Sequence, residues 1–575
     1  MNAYWPEGMP ASLDYPELTV GELLTSAARL YGDRAAVVDG PERLSFSQLR
    51  EHASGFAHAL RDAGVRDGDA ILLHLPNSVW FLVAYYGALL AGASVSPANP
   101  LQPAPGLRAQ LRDTGAVLAV SHPAHVAALL DAADPRDDGV ALRTIVVVPP
   151  SACAPSAGEP PGDDAVVPLA DFVAGRPAGA PGITVAAGDV AHIAYTGGTT
   201  GVPKGVRVLH RNVVANVVQM TAWRAAHLVD VTENGGARLS PLPGLPGAGV
   251  RPGTAVTVMV PPLFHAHALI HANFLLLCGT TVVFTGRFSP ERLLEAIEHH
   301  RATYVTGSPA MWHALLGSPG LDDHDLSSVQ VISSGAAPID AAALRALGTA
   351  FPNAVISEGY GMTEATCLVA AAPLVCGARS EPGSVGLPMP DTTVRIHPVG
   401  GGADVLGPNE TGEIWVRGPQ VTAGYLNAPE ATGEQFTGGW LRTGDIGRVT
   451  EEGFVFVSGR AKDMLLYKGY NVYPRELEDV LHGHPGVATA AVVGRSAPRV
   501  GQEPVAFVVP RPGARVDPDE VMTYVAGRVL PYKRIRTVHV VDALPTSPAG
   551  KILKSELHAR IGRDDRPAGP ASRSR

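Results

Sequence analysis

Cysteine is scarce in this chain: four in 575 residues, Cys153, Cys278, Cys367 and Cys376, with no CxxC pair among them. That removes the usual zinc and dithiol signatures and reads as reduced thiols in a cytoplasmic protein. Positive charge is in deficit too. With 45 Lys and Arg against 54 Asp and Glu, a net charge of −9 gives no electrostatic reason to expect nucleic acid. The opening MNAYWPEGMPASLDYPELT has no basic segment leading into an apolar run, so nothing in it addresses the chain for export. Long hydrophobic runs are nearly absent. Only Val79 to Val95 approaches bilayer length, and its Ala and Gly content and direct passage into SVSPANP point to a buried helix. No internal repeat occurs, and no GxSxG, which removes the simplest serine hydrolase.

What is present is alternation. RAAVVDG, SFSQLREHASGFAHALRDAG and DAILLHL begin a strand–helix–strand rhythm that continues through AVLAVSH, RTIVVVP, TVVFTG, ATYVTGS, VQVISSG and NAVISEGY. It predicts largely parallel sheets covered by helices, in a multidomain α/β protein. Two Pro/Gly-rich stretches, Ser151 to Asp164 and Asn234 to Gly253, read as surface loops, the second as a candidate insertion. After about Ser384 the texture turns to short strands, and from Lys462 to about Gly562 an α+β pattern follows, with helices at PRELEDVLHGH and DEVMTYVAGRVL. Residues 563–575, polar and Pro-containing, are expected to be disordered.

The densest chemistry follows the strand AHIAY, in Thr196-Gly197-Gly198-Thr199-Thr200-Gly201-Val202-Pro203-Lys204-Gly205. Glycines let the backbone turn its N–H groups toward an anion, threonines add hydroxyl donors, and Lys204 adds a charge. The loop is built for phosphate, yet it is not the NTPase P-loop, because Gly205 stands where Ser or Thr would follow the lysine.

This loop and five later segments, in order, resemble the adenylate-forming superfamily of acyl-CoA synthetases, coumarate-CoA ligases, luciferases and peptide-synthetase adenylation domains. SSGAAP (333–338, with Gly335, Ala336 and Ala337) and EGYGMTE (358–364) match the nucleotide segments. WLRTGD (440–445) matches the ribose segment, GRAKDMLLYKGYNVYPRELE (459–478) the hinge and thioester-forming loop, and LPTSPAGK (544–551) the terminal lysine segment. The resemblance implies a large N-terminal domain, residues 1–459, of two α/β layers and a β-rich subdomain. A small mobile α+β domain, 460–562, would follow it. ATP, Mg²⁺ and coenzyme A are the implied cofactors, with an acyl carrier protein as the alternative acceptor; a homodimer is left open.

Within that resemblance, Glu358, Gly359, Tyr360, Gly361, Met362 and Thr363 line the nucleotide, with Tyr360 offering a face for adenine and Thr363 a hydroxyl for the α-phosphate. Glu364 and Thr196 are the metal ligands. Asp445 can accept from both ribose hydroxyls, Arg460 reaches ribose or phosphate, and Lys551 bridges carboxylate and α-phosphate as charge develops. Lys462 is the hinge, and Lys468, Gly469 and Tyr470 form the pantetheine passage. Among His265, His267 and His271 no HExxH pattern supports zinc, and His265 is the one expected beside the substrate. Phe264 is followed by His265 and not by the Asp that holds a substrate ammonium in peptide-synthetase relatives. Ala266, Leu269, Ile270 and 275–277 are apolar, and Gly335, Ala336, Gly361 and Cys367 are small. The expected substrate is therefore a hydrophobic acid, most simply a medium- or long-chain fatty acid, with a specialised-metabolite acid as alternative.

Overall fold

The computed structural model describes residues 4–133, 139–150, 163–196, 203–233, 235–337, 339–402, 404–468, 470–497, 499–547 and 551–564. The alternation resolves into two layered sheets. One has seven strands in the order Val166–Pro168, Thr144–Val147, Leu118–Ser121, Ala70–His74, Ser94–Pro97, Val190–Thr196, Lys204–Leu209. All its neighbours run parallel except the last pair. The other has nine, with Tyr304–Gly307, Val331–Ser334 and Val355–Gly361 side by side and parallel near one end. Their inner strands are continuous apolar runs because helices cover both faces; Ala70–His74 and Thr281–Phe284 are buried throughout.

The helices start where the side chains can cap them. Ser45 and Gln48 form a reciprocal capping box at Phe46–Asp62, and Thr19 and Glu22 another at Val20–Tyr31. Val79–Leu90 is the buried helix expected of that stretch, and no helix among the described residues is long and apolar enough to cross a membrane. Helix His210–Ala225 is buried at every position but Arg211 and is tied to strand Leu368–Ala371 by polar contacts. Asn216 both donates to the Leu368 carbonyl and accepts from its N–H, each at 2.9 Å, and Trp223 Nε1 donates to the Ala371 carbonyl at 2.8 Å.

The β-rich subdomain is a five-stranded sheet of Thr393–His397, Gly412–Arg417, Trp440–Val449, Phe436–Thr437 and Val455–Arg460. The small domain wraps Pro474–His482, Pro518–Ala526 and Lys554–Asp564 around a second five-stranded sheet centred on Gly501–Pro510. Two expectations need adjusting. The stretch from Asn234 to Gly253 is not all loop, since Ala237–Pro241 pairs with His227–Val231 in a two-stranded hairpin. The last helix runs to Asp564, two residues beyond the boundary drawn at 562, and 565–575 lie outside the described residues.

Candidate active site

Antiparallel pairing of Val190–Thr196 with Lys204–Leu209 sets Thr196 opposite Lys204, at the mouth of the phosphate loop. Gly197, Gly198, Thr199, Thr200 and Gly201 lie outside the described residues. Lys204 holds its ammonium 5.1 Å from the centre of the Tyr425 ring, and the Tyr425 hydroxyl donates to Glu364 Oε1 at 2.9 Å. Burial, then the Glu364 charge, hold that phenol well above its ordinary pKa, so it remains a donor. The Thr422 hydroxyl and N–H fix the Glu364 carbonyl at 2.9 and 3.0 Å. Glu364 Oε2 accepts nothing from the described residues, and a carboxylate oxygen of this kind could hold a hard cation. Tyr425 escaped the sequence reading because its segment, AGYLN, carries no titratable pattern; only pairing with Lys204–Leu209 brings it here.

Asp445 sits within a strand, not in a turn, and its register partner is Arg460. The carboxylate is 5 % exposed; Oδ2 takes the Tyr360 hydroxyl at 2.7 Å and Oδ1 faces Arg460 Nε at 3.2 Å. Burial raises its pKa, against the pull of Arg460, Tyr360 and Lys551. Tyr360 packs with Val369, Ile396 and Ile414 and is 8 % exposed, so it anchors Asp445 and presents little of the open face expected for adenine. Met362 donates its N–H to the Cys367 carbonyl at 2.9 Å, and Thr363 opens the short turn Thr363–Ala365 that carries Glu364.

Lys551 reaches this cluster from the small domain. Its backbone is clipped to Ser547 by bonds of 3.2 and 2.7 Å. Loss of hydration lowers the ammonium's pKa first and Arg460 second, while Asp445 and Glu364 oppose them. The residue stays solvent-accessible, so the desolvation is partial. The small domain is thus held with its terminal lysine toward Asp445 and Glu364. Lys462 lies in the turn between Val455–Arg460 and Leu465–Tyr467. Lys468, at φ 49°, and Tyr470, 58 % exposed and stacked on Tyr532, flank the tip of the hairpin Leu465–Tyr467/Tyr470–Val472; Gly469 is outside the described residues.

Glu358 is half-buried, and the charges of Arg475 and Asp479 from the small domain act on it. Burial pushes its carboxyl up to about 7, opposed by the Ile339 N–H and Arg475 and reinforced by Asp479. Asp479 is itself pushed up to about 6, chiefly by burial.

The acid end differs most from expectation. Leu269, Ile270 and Leu275 to Leu277 are core residues of helix Ala266–Leu277. Gly361 leaves no space either, since a Cβ there would lie 1.6 Å from the Cys367 carbonyl oxygen. The groups gathered here are polar. His265, held to about 4 by burial and then Lys551, precedes the helix. His267 bonds Thr306 Oγ1 through Nε2 at 2.9 Å and lies 3.1 Å from where a Gly335 Cβ would be. His271 donates from Nδ1 to the His267 carbonyl at 2.8 Å. No group of metal-ligating side chains forms among the described residues. Ala336, at φ 68°, and Ala337 continue from Gly335, whose N–H donates to the Gly307 carbonyl at 3.0 Å. Gly359 sits against Arg224, a fully buried arginine that the sequence, reading WRAA at a helix end, did not flag.

A family model described as AMP-binding enzyme matches residues 24–426, and one described as AMP-binding enzyme C-terminal domain matches 476–551. The chain is 36 % identical over 544 residues to 4-coumarate–CoA ligase 5 of Oryza sativa subsp. japonica, covering 92 % of each chain. It is 33 % identical over 548 residues to 4-coumarate–CoA ligase 1 of Petroselinum crispum, covering 93 % of each. Its fold matches ATP-bound MatB from Rhodopseudomonas palustris with a TM-score of 0.80 at 26 % identity, over 96 % of this chain and 100 % of that one.

Proposed function

Because the chain belongs to the AMP-binding enzyme family and is an AMP-forming acid–CoA ligase, we propose that its acid is a compact aromatic one, of the aryl-propenoic kind, and not a fatty acid. The names of the relatives at 36 and 33 % identity point that way. The observation that carries the reading is the polar end of the acid site. An alkyl tail running past His267 would bury methylenes against the Arg224 guanidinium, whereas a short flat acid stops before it.

In the first half-reaction the acid's carboxylate attacks the α-phosphate of ATP and pyrophosphate leaves. Lys551 relieves the repulsion between the two anions, and Asp445 and Arg460 hold the ribose. Thr196, Lys204 and the loop between them take the phosphates, with the nucleotide segments at Gly335 to Ala337 and Glu358 to Thr363 alongside. Glu364 and the Thr196 hydroxyl suit Mg²⁺, which would supply neutralising charge to the phosphates when bound. In the second half-reaction the CoA thiolate attacks the acyl carbonyl and AMP leaves. Rotation about Lys462 is the proposed means by which the Lys468–Tyr470 hairpin replaces Lys551 in the cleft, with residues 1–459 and 460–562 moving as two bodies.

A panel of aryl, aryl-propenoic and fatty acids, assayed for pyrophosphate release and for thioester with and without CoA, tests the reading. Fastest turnover with aromatic acids and CoA-dependent thioester are expected. Preference for fatty acids would reject the aromatic assignment, and thioester formed only on a carrier-protein phosphopantetheine would reject free CoA.

A further inference from the structure

Arg224 sits at the end of helix His210–Ala225 with 0 % of its surface exposed and no carboxylate in an ion pair with it among the described residues. Its Nη1 is used twice, donating to the Tyr304 hydroxyl at 2.8 Å and to Ser333 Oγ at 3.0 Å. Among the described residues, Nε and Nη2 have no hydrogen-bond partner. Those two nitrogens share one edge of the planar guanidinium, where two parallel N–H groups match the two oxygens of a carboxylate. A glycine lies beside Nη2: a Cβ on Gly359 would be 3.5 Å from it. Cys367, His267 and His271 are close enough for the Arg224 charge to shift their titration, and His267 also feels Lys551. Ser333, which accepts from Arg224 through Oγ, also accepts from Thr306 Oγ1 through its carbonyl at 3.3 Å, and Thr306 Oγ1 is the partner of His267, so the arginine lies directly behind His267.

A buried guanidinium with its charge uncompensated and two donors idle is costly to the free protein. A hydroxyl could accept from one donor and would leave the charge; a carboxylate pairs with both and neutralises it. We propose that the Nε–Nη2 edge of Arg224 receives a second carboxylate on the substrate, at the end opposite the one that is activated. The substrate is then a diacid whose flat, apolar spacer stops short of the guanidinium and carries the second carboxylate to it. This rests on the aromatic-acid reading for the spacer alone.

The full chain with ATP, Mg²⁺ and CoA is assayed on aryl-propenoic acids that differ only in the para group: hydrogen, methyl, hydroxyl or carboxylate. An alkyl monoacid and the α,ω-diacid of equal length complete the set. The para-carboxylate is expected to exceed the para-methyl acid by roughly a hundredfold or more in kcat/KM, mostly through KM. Arg224→Leu should erase that preference, and Arg224→Lys should restore part of it. A wild-type preference for methyl or hydroxyl overturns the proposal, as does an Arg224→Leu enzyme that loses the same factor on every acid. Should Arg224→Leu not fold, the wild-type ranking decides. If aromatic acids turn over without regard to the para group, the second-carboxylate site falls and the aromatic reading stands. If none turns over but the alkyl diacid outruns its monoacid, the reverse holds.

Discussion

A single ammonium on an exposed stem gains its importance from what surrounds it. Asp445 and Glu364 attract Lys551 and Arg460 repels it, so the lysine is held among charges that the nucleotide would rearrange. On the proposed division of labour, Lys551→Ala lowers acyl-AMP formation by about 10²–10³-fold, the loss expected when one preorganised donor is removed from a developing charge. Thioester formation from supplied acyl-AMP should be nearly unchanged, because that step uses the other small-domain arrangement. Separate single-turnover measurements of the two half-reactions check this, and equal loss in both would reject it. Lys551, Glu364 and Asp445 could be singled out in the sequence because motif words surround them. Arg224 could not, because nothing local marks an arginine whose partners, Tyr304 and Ser333, lie 80 and 109 residues away.

At the scale of the element, the turn after strand Val355–Gly361 shows how backbone proximity positions a ligand. Gly361 lies so close to the Cys367 carbonyl that a Cβ would sit 1.6 Å from its oxygen and 2.7 Å from its carbon. The adjacent Met362 N–H uses the same carbonyl at 2.9 Å. Gly361→Ala must therefore spread the turn that carries Glu364, at a cost of about 1–3 kcal/mol or more. A lowered melting temperature together with weaker protection by MgATP is the expected result; an unchanged melting curve would show that the turn relaxes freely. From sequence this glycine looked like room for a substrate tail, since smallness reads the same whether the space is open or already filled.

Across the whole molecule, the two domains meet through acids that are uncomfortable when charged. Glu358 rises from an ordinary 4.5 to about 7, and Asp479 from 3.8 to about 6, burial being the first cause in each. A carboxyl raised by docking favours the docked form while it is protonated. That contribution is complete below the ordinary value and is lost as pH climbs through the raised one. The arrangement that presents Lys551 should accordingly weaken between about pH 5 and pH 8. The ratio of acyl-AMP formation to thioester formation is expected to fall across that window, and to fall less in Glu358→Gln, whose amide cannot ionise. Stopped-flow pyrophosphate release and thioester formation over the pH series measure it; a flat ratio in the parent chain would show that docking does not depend on these acids.

The sequence by itself determined the alternation of strands and helices, the order of the two domains and the resemblance to an adenylate-forming enzyme. Each of these follows from local periodicity, or from a reaction that demands particular groups in particular words. Only the tertiary structure decided that Tyr360 serves Asp445, that Tyr425 ties Lys204 to Glu364, that the apolar residues of Ala266–Leu277 belong to the core, and that Arg224 is buried against Tyr304 and Ser333. Those facts depend on which faces of distant elements come to rest against each other. Hydrogen-bond geometry and close packing settle that when the chain folds.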